Sequence, residues 1–464
     1  MYKSDTICAV ATGLGKSAIG IIRVSGPEAI SICDGIFVGK KSISEMETFT
    51  AAFGRIMDGD TVVDEAIVLV MKGKHTYTTE DTVEIDLHGG SYVVRRVLEL
   101  LINKGVRLAE PGEFTKRAFL GGRIDMTEAE AVMDVINAET ERSLGASMKQ
   151  LSGKLREEVV SLREKILYNT AYIESALDDP ENYSLDGFGE KLRADIDEVL
   201  MRINKLLSTS EEGRVIREGI KTAIVGRPNV GKSSMLNYLL GENRAIVTEV
   251  EGTTRDTLEE YADIGGILLK LIDTAGIRDT SDVVEKIGVD KAKETIEDAD
   301  LVLLLLDGSQ EMRDEDRDIL NSLEGRKVIA LINKIDINIE GTEVSENKEL
   351  EKELSGKGID HILYTSAKTG QGVEELKDLV KEMFLNQELD YNDQIFITRS
   401  RHKSCLIRAK ESLDKVMEGI DAGVGEDFLT IDLMDAYEAL GEIIGEALED
   451  DLANKIFEEF CMGK

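Results

Sequence analysis

Cysteine is scarce in this sequence, and its cysteines lie far apart. The four residues are Cys8, Cys33, Cys405 and Cys461, and no two of them form a Cys-x-x-Cys pair. The sequence therefore predicts neither a disulfide framework nor a zinc site. The first residues contain no signal-type apolar core, and no apolar run approaches the length that crosses a bilayer. We therefore expect a cytoplasmic protein that is not inserted in a membrane.

Basic residues are outnumbered by acidic ones. The formal net charge of −35 argues against a broadly basic surface that would bind nucleic acid. An RNA substrate would have to be held by a local patch or delivered by a partner. The length of 464 residues exceeds what a single hydrophobic core usually supports, and it predicts about two to four domains.

A glycine-rich segment indicates the chemistry of the middle of the chain. It reads Gly-Arg-Pro-Asn-Val-Gly-Lys-Ser over residues 226–233 and follows a strand-like run at 221–225. In such a loop the backbone N–H groups surround the phosphates of a nucleotide. Lys232 would reach the outer two phosphates, and the Ser233 hydroxyl would bind Mg²⁺.

Companion motifs follow in the order expected of a GTPase. Asp273 ends an apolar strand, where its carboxylate can hold the water shell of the metal. Asp336 can accept two hydrogen bonds from a guanine edge, which adenine cannot supply, while Asn333 and Lys334 brace that pocket. The predicted GTP contacts are Asn229, Val230, Gly231, Lys232, Ser233, Ser234, Thr248, Glu249, Val250, Glu251, Gly252, Thr253, Thr254, Asp273, Thr274, Ala275, Gly276, Asn333, Lys334, Asp336, Ser366, Ala367 and Lys368.

The residue after Asp-x-x-Gly is not the glutamine that orients the attacking water in Ras-type GTPases. Ile277 occupies this position, and an apolar side chain cannot position water. The following loop offers three acids, Asp279, Asp282 and Glu285. We favour Glu285 as the catalytic acid, and the alternative is that it is only a solvated charge. No obvious arginine finger is identifiable either.

Asn229 offers a way to replace the positive charge of an arginine finger. Its amide oxygen would lie near the phosphates, where the backbone carbonyls of Thr248 and Val250 could join it. Together with Thr253, these groups could enclose a monovalent cation, K⁺. Thr254 would then be the second Mg²⁺ ligand. The alternative is that Asn229 only forms a turn.

Hydrophobic periodicity divides the chain into domains. Residues 1–121 alternate apolar and polar side chains like strands, with one helix-like run. Helical spacing begins near a capping-box signature at Thr127 and Glu130, and it resumes from about Ser400 to Phe460. We predict a multidomain α/β and α+β protein with an N-terminal α+β domain (1–121), a discontinuous α-helical domain (122–218 and 384–464) and an inserted Ras-like P-loop GTPase domain (219–383).

Motifs outside the GTPase segment are similar to those of a known family. They are Gly20-Ile-Ile-Arg23-Val-Ser-Gly26, Thr79-Glu80-Asp81, His88-Gly89-Gly90, Pro111-Gly-Glu-Phe-Thr-Lys-Arg-Ala-Phe-Leu120, Gly252-Thr-Thr-Arg-Asp256 and the ending Cys461-Met-Gly-Lys464. In this combination the chain resembles the MnmE/TrmE family of tRNA-modifying GTPases over its whole length. The resemblance implies a carboxymethylaminomethyl or aminomethyl-type modification at C5 of the wobble uridine of certain tRNAs.

The resemblance also implies cofactors and partners. A reduced folate, 5-formyl- or methylene-tetrahydrofolate, would supply the one-carbon unit to an N-terminal domain that also dimerises. An FAD-dependent partner of the GidA/MnmG type would join the homodimer in a heterotetramer that acts on tRNA. The alternative is a regulatory GTPase switch in assembly or stress, whose flanking domains are binding modules and need no pterin site.

The family's folate contacts correspond to Arg23, Glu80, Arg123 and Lys464 of this chain. Arginine and lysine suit the carboxylate tail of a folate, and a glutamate can accept hydrogen bonds from the pterin. Arg123 stands where a lysine is common, and the threonine before Glu80 replaces a glycine. The family's terminal cysteine corresponds to Cys461, whose role is open between chemistry and helix packing.

Overall fold

The computed structural model describes residues 5–13, 15–242, 260–272, 296–337, 348–385, 394–446, 455–458, 460 and 463. The chain separates into two compact units. The first comprises Met1–Ile136, Met148–Ile203 and Ser404–Lys464, and the second comprises Asn137–Ser147 and Asn204–Lys403.

The N-terminal part of the first unit is a mixed sheet of seven strands with helices against it. Its elements are β1 (Ile7–Val10), β2 (Ile19–Ser25), α1 (Ala29–Asp34), β3 (Phe37–Gly39), β4 (Thr50–Asp58), β5 (Thr61–Met71), β6 (Thr82–His88), α2 (Ser91–Asn103), β7 (Arg107–Leu108) and α3 (Glu113–Leu120). The strand order is β3-β4-β5-β6-β2-β1-β7, and every pair is antiparallel except β1 with β7. Alternate residues of β2 and β6, such as Ile22, Val24 and Ile85, are buried in one core with Val97 of α2.

Helices follow this sheet, as the change of periodicity predicts. They are α4 (Met126–Ile136), α5 (Glu141–Leu151), α6 (Lys154–Asp178), α7 (Phe188–Ser208) and α8 (Ser210–Glu218). The apolar residues at helical spacing on α6, from Leu155 to Ile166, are buried. The capping box at the start of α4 differs from the predicted one. Asp125 and Glu128 exchange backbone-to-carboxylate hydrogen bonds, whereas Thr127 lies inside the helix, so the acid before the first turn is the cap.

The second unit contains a six-stranded sheet of the α/β type. Its elements are β8 (Ile220–Val225), α9 (Lys232–Glu242), β9 (Glu260–Asp263), β10 (Leu268–Ile272), β11 (Leu301–Asp307), α10 (Asp314–Asn321), β12 (Val328–Asn333), α11 (Lys348–Ser355), β13 (His361–Tyr364) and α12 (Val373–Phe384). The order is β13-β12-β11-β8-β10-β9, and all pairs are parallel except β9 with β10. Ligands of such sheets bind at the carboxyl ends of the strands.

Two further helices follow along the chain, α13 (Ser400–Ala422) and α14 (Glu426–Ile444). The buried face of α14 includes Leu433, Ala436 and Leu440. No helix in the described part of the chain combines the length and the apolar character needed to span a bilayer.

Candidate functional site

The loop of residues 226–231 connects β8 to α9 through unusual backbone angles. Gly226 and Gly231 have φ values of 149° and 108°, and Asn229 has a φ of 66°. A side chain at Gly226 would overlap the carbonyl oxygen of Leu305, and one at Gly231 would overlap the Asn333 amide. Only glycine therefore allows the loop to turn tightly over the ends of the strands. The loop leads into the first turn of α9, and the start of a helix favours a phosphate.

Lys232 lies folded into the loop that it would serve. Its Nζ donates hydrogen bonds to the carbonyl oxygens of Gly226 at 2.6 Å and Arg227 at 2.9 Å. Burial lowers the pKa of this ammonium group, because carbonyls compensate its lost hydration only in part. Phosphate oxygens would be stronger, charged acceptors for the same group.

Asn333 links the phosphate loop to the predicted guanine pocket. Its Nδ2 donates to the Val230 carbonyl at 2.8 Å, and its Oδ1 accepts from the Ala367 backbone N–H at 2.9 Å. Ser366 Oγ donates a hydrogen bond to Asp336 Oδ1 at 2.8 Å, and Asp336 is exposed. The segments around Asn333 and Ser366 follow the phosphate loop by more than a hundred residues in the sequence. The structure brings both of them next to that loop.

Lys334 forms a salt bridge that the sequence did not predict. Its Nζ lies 2.8 Å from Asp307 Oδ2, at the end of β11. Burial opposes ionisation of Asp307, but hydrogen bonds from Lys334 and Ser309 outweigh it and lower the pKa of the carboxyl group. The sequence did contain a signal for Asp307, because this aspartate directly follows an apolar run. Asp273 was selected as a site residue on the same pattern.

Arg227 is a buried side chain within the phosphate loop. Its Nε lies 3.1 Å from Asp316 Oδ2, and both side chains are at least nine-tenths buried. Its Nη2 also donates to Gln310 Oε1 at 3.2 Å. The pair fastens the loop to the start of α10. Sequence reasoning gave Arg227 no role, since its partner lies far along the chain.

A second group of predicted residues meets in the first unit. Arg23, on β2, lies 2.7 Å from Glu84 and donates to the Gly463 carbonyl at 3.4 Å. Arg123 donates to the Tyr77 carbonyl at 3.2 Å. Gly463 has a φ of 93°, and a side chain there would overlap the Val10 carbonyl, which explains the glycine in the terminal motif.

Glu80 belongs to a buried charge network. Its Oε2 accepts from Arg117 Nη1 at 2.9 Å and from Ser25 Oγ at 3.2 Å. Arg117 is 2% exposed, and it also forms salt bridges with Asp5 and Glu113 at 2.8 and 2.9 Å. The network fixes the carboxylate of Glu80 relative to β2 and α3.

Thr79, the residue before this glutamate, has a backbone conformation that glycine adopts more easily. Its φ of 63° lies in the left-handed region that non-glycine residues rarely adopt. The threonine therefore keeps the turn that a glycine would make, at some cost in backbone strain.

Several predicted site residues lie outside the described ranges. They are Thr248, Glu249, Val250, Glu251, Gly252, Thr253, Thr254, Asp273, Thr274, Ala275, Gly276, Glu285, Cys461 and Lys464. Their roles stay predictions.

Two family models match the chain. "MnmE helical domain" matches residues 126–461, and "GTP-binding protein TrmE N-terminus" matches residues 6–123. Proteins named tRNA modification GTPase MnmE are similar over the full length. Those of Lachnoclostridium phytofermentans and Acetivibrio thermocellus are 49% and 44% identical, with 100% of both chains covered, and that of Finegoldia magna is 45% identical over 99% of this chain and 100% of its own.

Solved structures are similar over part of the chain. Era in complex with MgGDPNP and a segment of 16S ribosomal RNA is 30% identical, with 42% of this chain and 66% of that chain covered, at a TM-score of 0.29. The G domain of the T. maritima FeoB iron transporter is 32% identical, with 35% of this chain and 97% of that chain covered, at a TM-score of 0.25.

Proposed function

We propose that the chain, which belongs to the MnmE family of tRNA modification GTPases, is a K⁺-stimulated GTPase that acts with an FAD-dependent partner. The pair would add a carboxymethylaminomethyl or aminomethyl-type group to C5 of the wobble uridine of certain tRNAs. GTP hydrolysis in tRNA modification follows from the family, and the remaining details rest on the residues below.

The phosphate loop supports GTP and Mg²⁺ as ligands. Lys232 already lies among acceptors that phosphate oxygens would replace, and Ser233 stands in the first turn of α9. Ser233 would bind Mg²⁺ together with Thr254, and the metal would neutralise charge on the phosphates. Asp336 is exposed, and its carboxylate would accept hydrogen bonds from the guanine base. Asn333 would hold that pocket against the loop.

The proposed K⁺ site rests on Asn229. This residue is exposed, and its side chain makes no hydrogen bond with the residues that the structure describes. Its amide oxygen is therefore available to a cation, together with the carbonyls of Thr248 and Val250 and the Thr253 group. Glu285 is proposed to orient the attacking water. The left-handed backbone of Asn229 also suits a simple turn former, so the effect of K⁺ on turnover separates the two interpretations.

The group of Arg23, Glu80 and Arg123 is the observation that favours a modifying enzyme over a regulatory switch. A switch that only binds GTP needs no second polar site, whereas two guanidinium groups suit the carboxylate tail of a reduced folate. The Gly463 carbonyl lies 3.4 Å from Arg23, which supports a place for Lys464 in the same site. Cys461 belongs to the same terminal motif, and we propose it as a further reactive group there.

Exposed apolar side chains support the proposed homodimer. Phe53 and Ile67 are directly opposite each other on β4 and β5, with exposures of 64% and 46%. Val38 on β3 is 59% exposed. An apolar patch of this kind is typical of a surface covered by another chain. We propose that the homodimer and the FAD-dependent partner form a heterotetramer in the cytoplasm, and that the partner presents most of the tRNA surface, since this chain carries a net charge of −35.

The proposal is tested in a bacterium that lacks its own wobble-uridine GTPase. Expression of the full chain should restore the modified nucleoside in digested tRNA, measured by mass spectrometry. Lys232→Ala should abolish both hydrolysis and modification. Arg123→Ala should retain hydrolysis by the purified protein and lose modification. A chain that hydrolyses GTP but never restores the nucleoside would favour the regulatory switch.

A further inference from the structure

One tyrosine contacts both arginines of the proposed folate site. The guanidinium carbon of Arg123 lies 4.8 Å from the centre of the Tyr77 ring, and that of Arg23 lies 5.6 Å from it. Both distances are within the range in which an aromatic ring attracts a cation. The Arg123 side chain also donates a hydrogen bond to the Tyr77 carbonyl at 3.2 Å. Tyr77 therefore holds Arg123 through its ring and through its backbone.

The two arginines differ in how their charges are compensated. Arg23 forms a short salt bridge with Glu84, and the two side chains are each only 18% exposed. Arg123 is exposed, and it forms no salt bridge with any residue in the described ranges. Its charge is therefore the less compensated of the two and the more available to an acidic ligand. The position of that charge depends on Tyr77.

Tyr77 is itself fixed from the other side. Its hydroxyl lies 2.9 Å from Thr115 Oγ1, a fully buried group on α3. Its ring packs against the small core of Ile7, Ala9, Ala109 and Phe114. A ring held in this way is a rigid platform, so a guanidinium resting on it loses little further freedom when it binds a carboxylate.

We infer that Tyr77 is the positioning residue that aims Arg123 at the glutamyl carboxylates of the ligand. This inference rests on the proposed folate function of the site. It assigns recognition of the acidic tail to the Tyr77–Arg123 pair. It also accounts for an arginine at position 123, because a planar guanidinium can lie on the ring and still donate hydrogen bonds, whereas a lysine presents a single point charge.

The test measures binding of two ligands to the purified full chain by calorimetry. One ligand is 5-formyltetrahydrofolate, and the other is 6-methyltetrahydropterin, which lacks the glutamyl tail. Tyr77→Leu should weaken the folate by about three- to tenfold and leave the tailless pterin within about twofold. Tyr77→Phe keeps the ring and loses only the Thr115 contact, so its folate affinity should stay within about twofold of the wild type. Tyr77→Leu combined with Arg123→Ala should bind folate no more weakly than Arg123→Ala alone.

The outcomes separate this inference from the proposed function. If the wild-type chain binds neither ligand, the proposed folate site itself is wrong. If it binds folate and Tyr77→Leu binds equally well, Tyr77 does not position Arg123. Equal weakening of both ligands would also overturn the inference, because it indicates general damage to the fold. Losses that add in the double variant would overturn it as well, because additive effects indicate that Tyr77 acts independently of Arg123. Thermal unfolding of each variant provides the matching control.

Discussion

The Asn333 side chain donates a hydrogen bond to the carbonyl oxygen of Val230, 103 residues earlier in the chain, at 2.8 Å. This bond connects the end of β12 with the loop that would surround the phosphates. The same side chain accepts from Ala367 in the predicted guanine pocket. The predicted guanine pocket and the phosphate loop are therefore connected through one buried amide.

Asn333→Ala should weaken GTP binding by about ten- to a hundredfold. The substitution leaves the Val230 carbonyl and the Ala367 N–H unpaired in a buried place, which costs about 1–3 kcal/mol for each group. Titration with a fluorescent GTP analogue measures the affinity. Asn321→Ala removes an exposed asparagine from the same unit and should change the affinity less than twofold. Equal affinities of Asn333→Ala and wild type would show that the bridge does not contribute.

Arg227→Ala should destabilise the second unit by about 3–5 kcal/mol, because it leaves the carboxylate of Asp316 buried without its cation. Replacing the pair with Arg227→Met and Asp316→Leu should cost less than the single change. Urea unfolding monitored by hydrogen exchange in β8 and β11 measures the loss. Arg313→Ala, near the start of the same helix, is the exposed control. If the losses of stability of the two single variants simply add in the double variant, the two side chains do not act as a buried pair.

Potassium should accelerate GTP turnover at least about tenfold over sodium at equal ionic strength, since a cation at Asn229 would stabilise charge in the transition state. Asn229→Ala should remove this difference while leaving nucleotide affinity largely unchanged. Phosphate release in the two salts measures the effect. Equal rates in both salts would leave Asn229 as a turn former.

Cys8 should resist alkylation in the folded protein at pH 8. Burial raises the pKa of its thiol to about 12, and burial also raises the pKa of the Cys33 thiol. The stability that these neutral thiols contribute is fully present below their unfolded pKa and is lost as the pH rises towards the folded value. Iodoacetamide labelling followed by peptide mass spectrometry should find both residues unmodified at pH 8 and modified in urea. Rapid native labelling would contradict their burial.

Much of the second unit was predictable because its parallel strands are continuous apolar runs. The apolar runs at 221–225, 268–272, 301–306 and 328–332 form β8, β10, β11 and β12. Hydrophobic periodicity alone also distinguishes α6, whose apolar residues have helical spacing, from β6, whose residues alternate. Local spacing misplaced the cap of α4, since Thr127 and Glu130 match the same pattern as Asp125 and Glu128.

The contacts that define the sites were less predictable. Arg227 meets Asp316, and Tyr77 meets Arg23 and Arg123, only after distant segments have come together. No local pattern specifies such a pair, because its partners share neither a helix face nor a strand. The family resemblance supplied residue identities for the folate site, but it gave no role to the tyrosine between them.

The Arg117 network has a consequence for local opening. One buried guanidinium joins Asp5 before β1, Glu80 in the loop before β6, and Glu113 in α3. Separating any of these segments would take a carboxylate away from a guanidinium that stays buried. They should therefore behave as one cooperative unit, and their slow amide protons should exchange with solvent in a single shared step. A ligand that touches Glu80 would then protect backbone amides on α3, a helix that it need not contact.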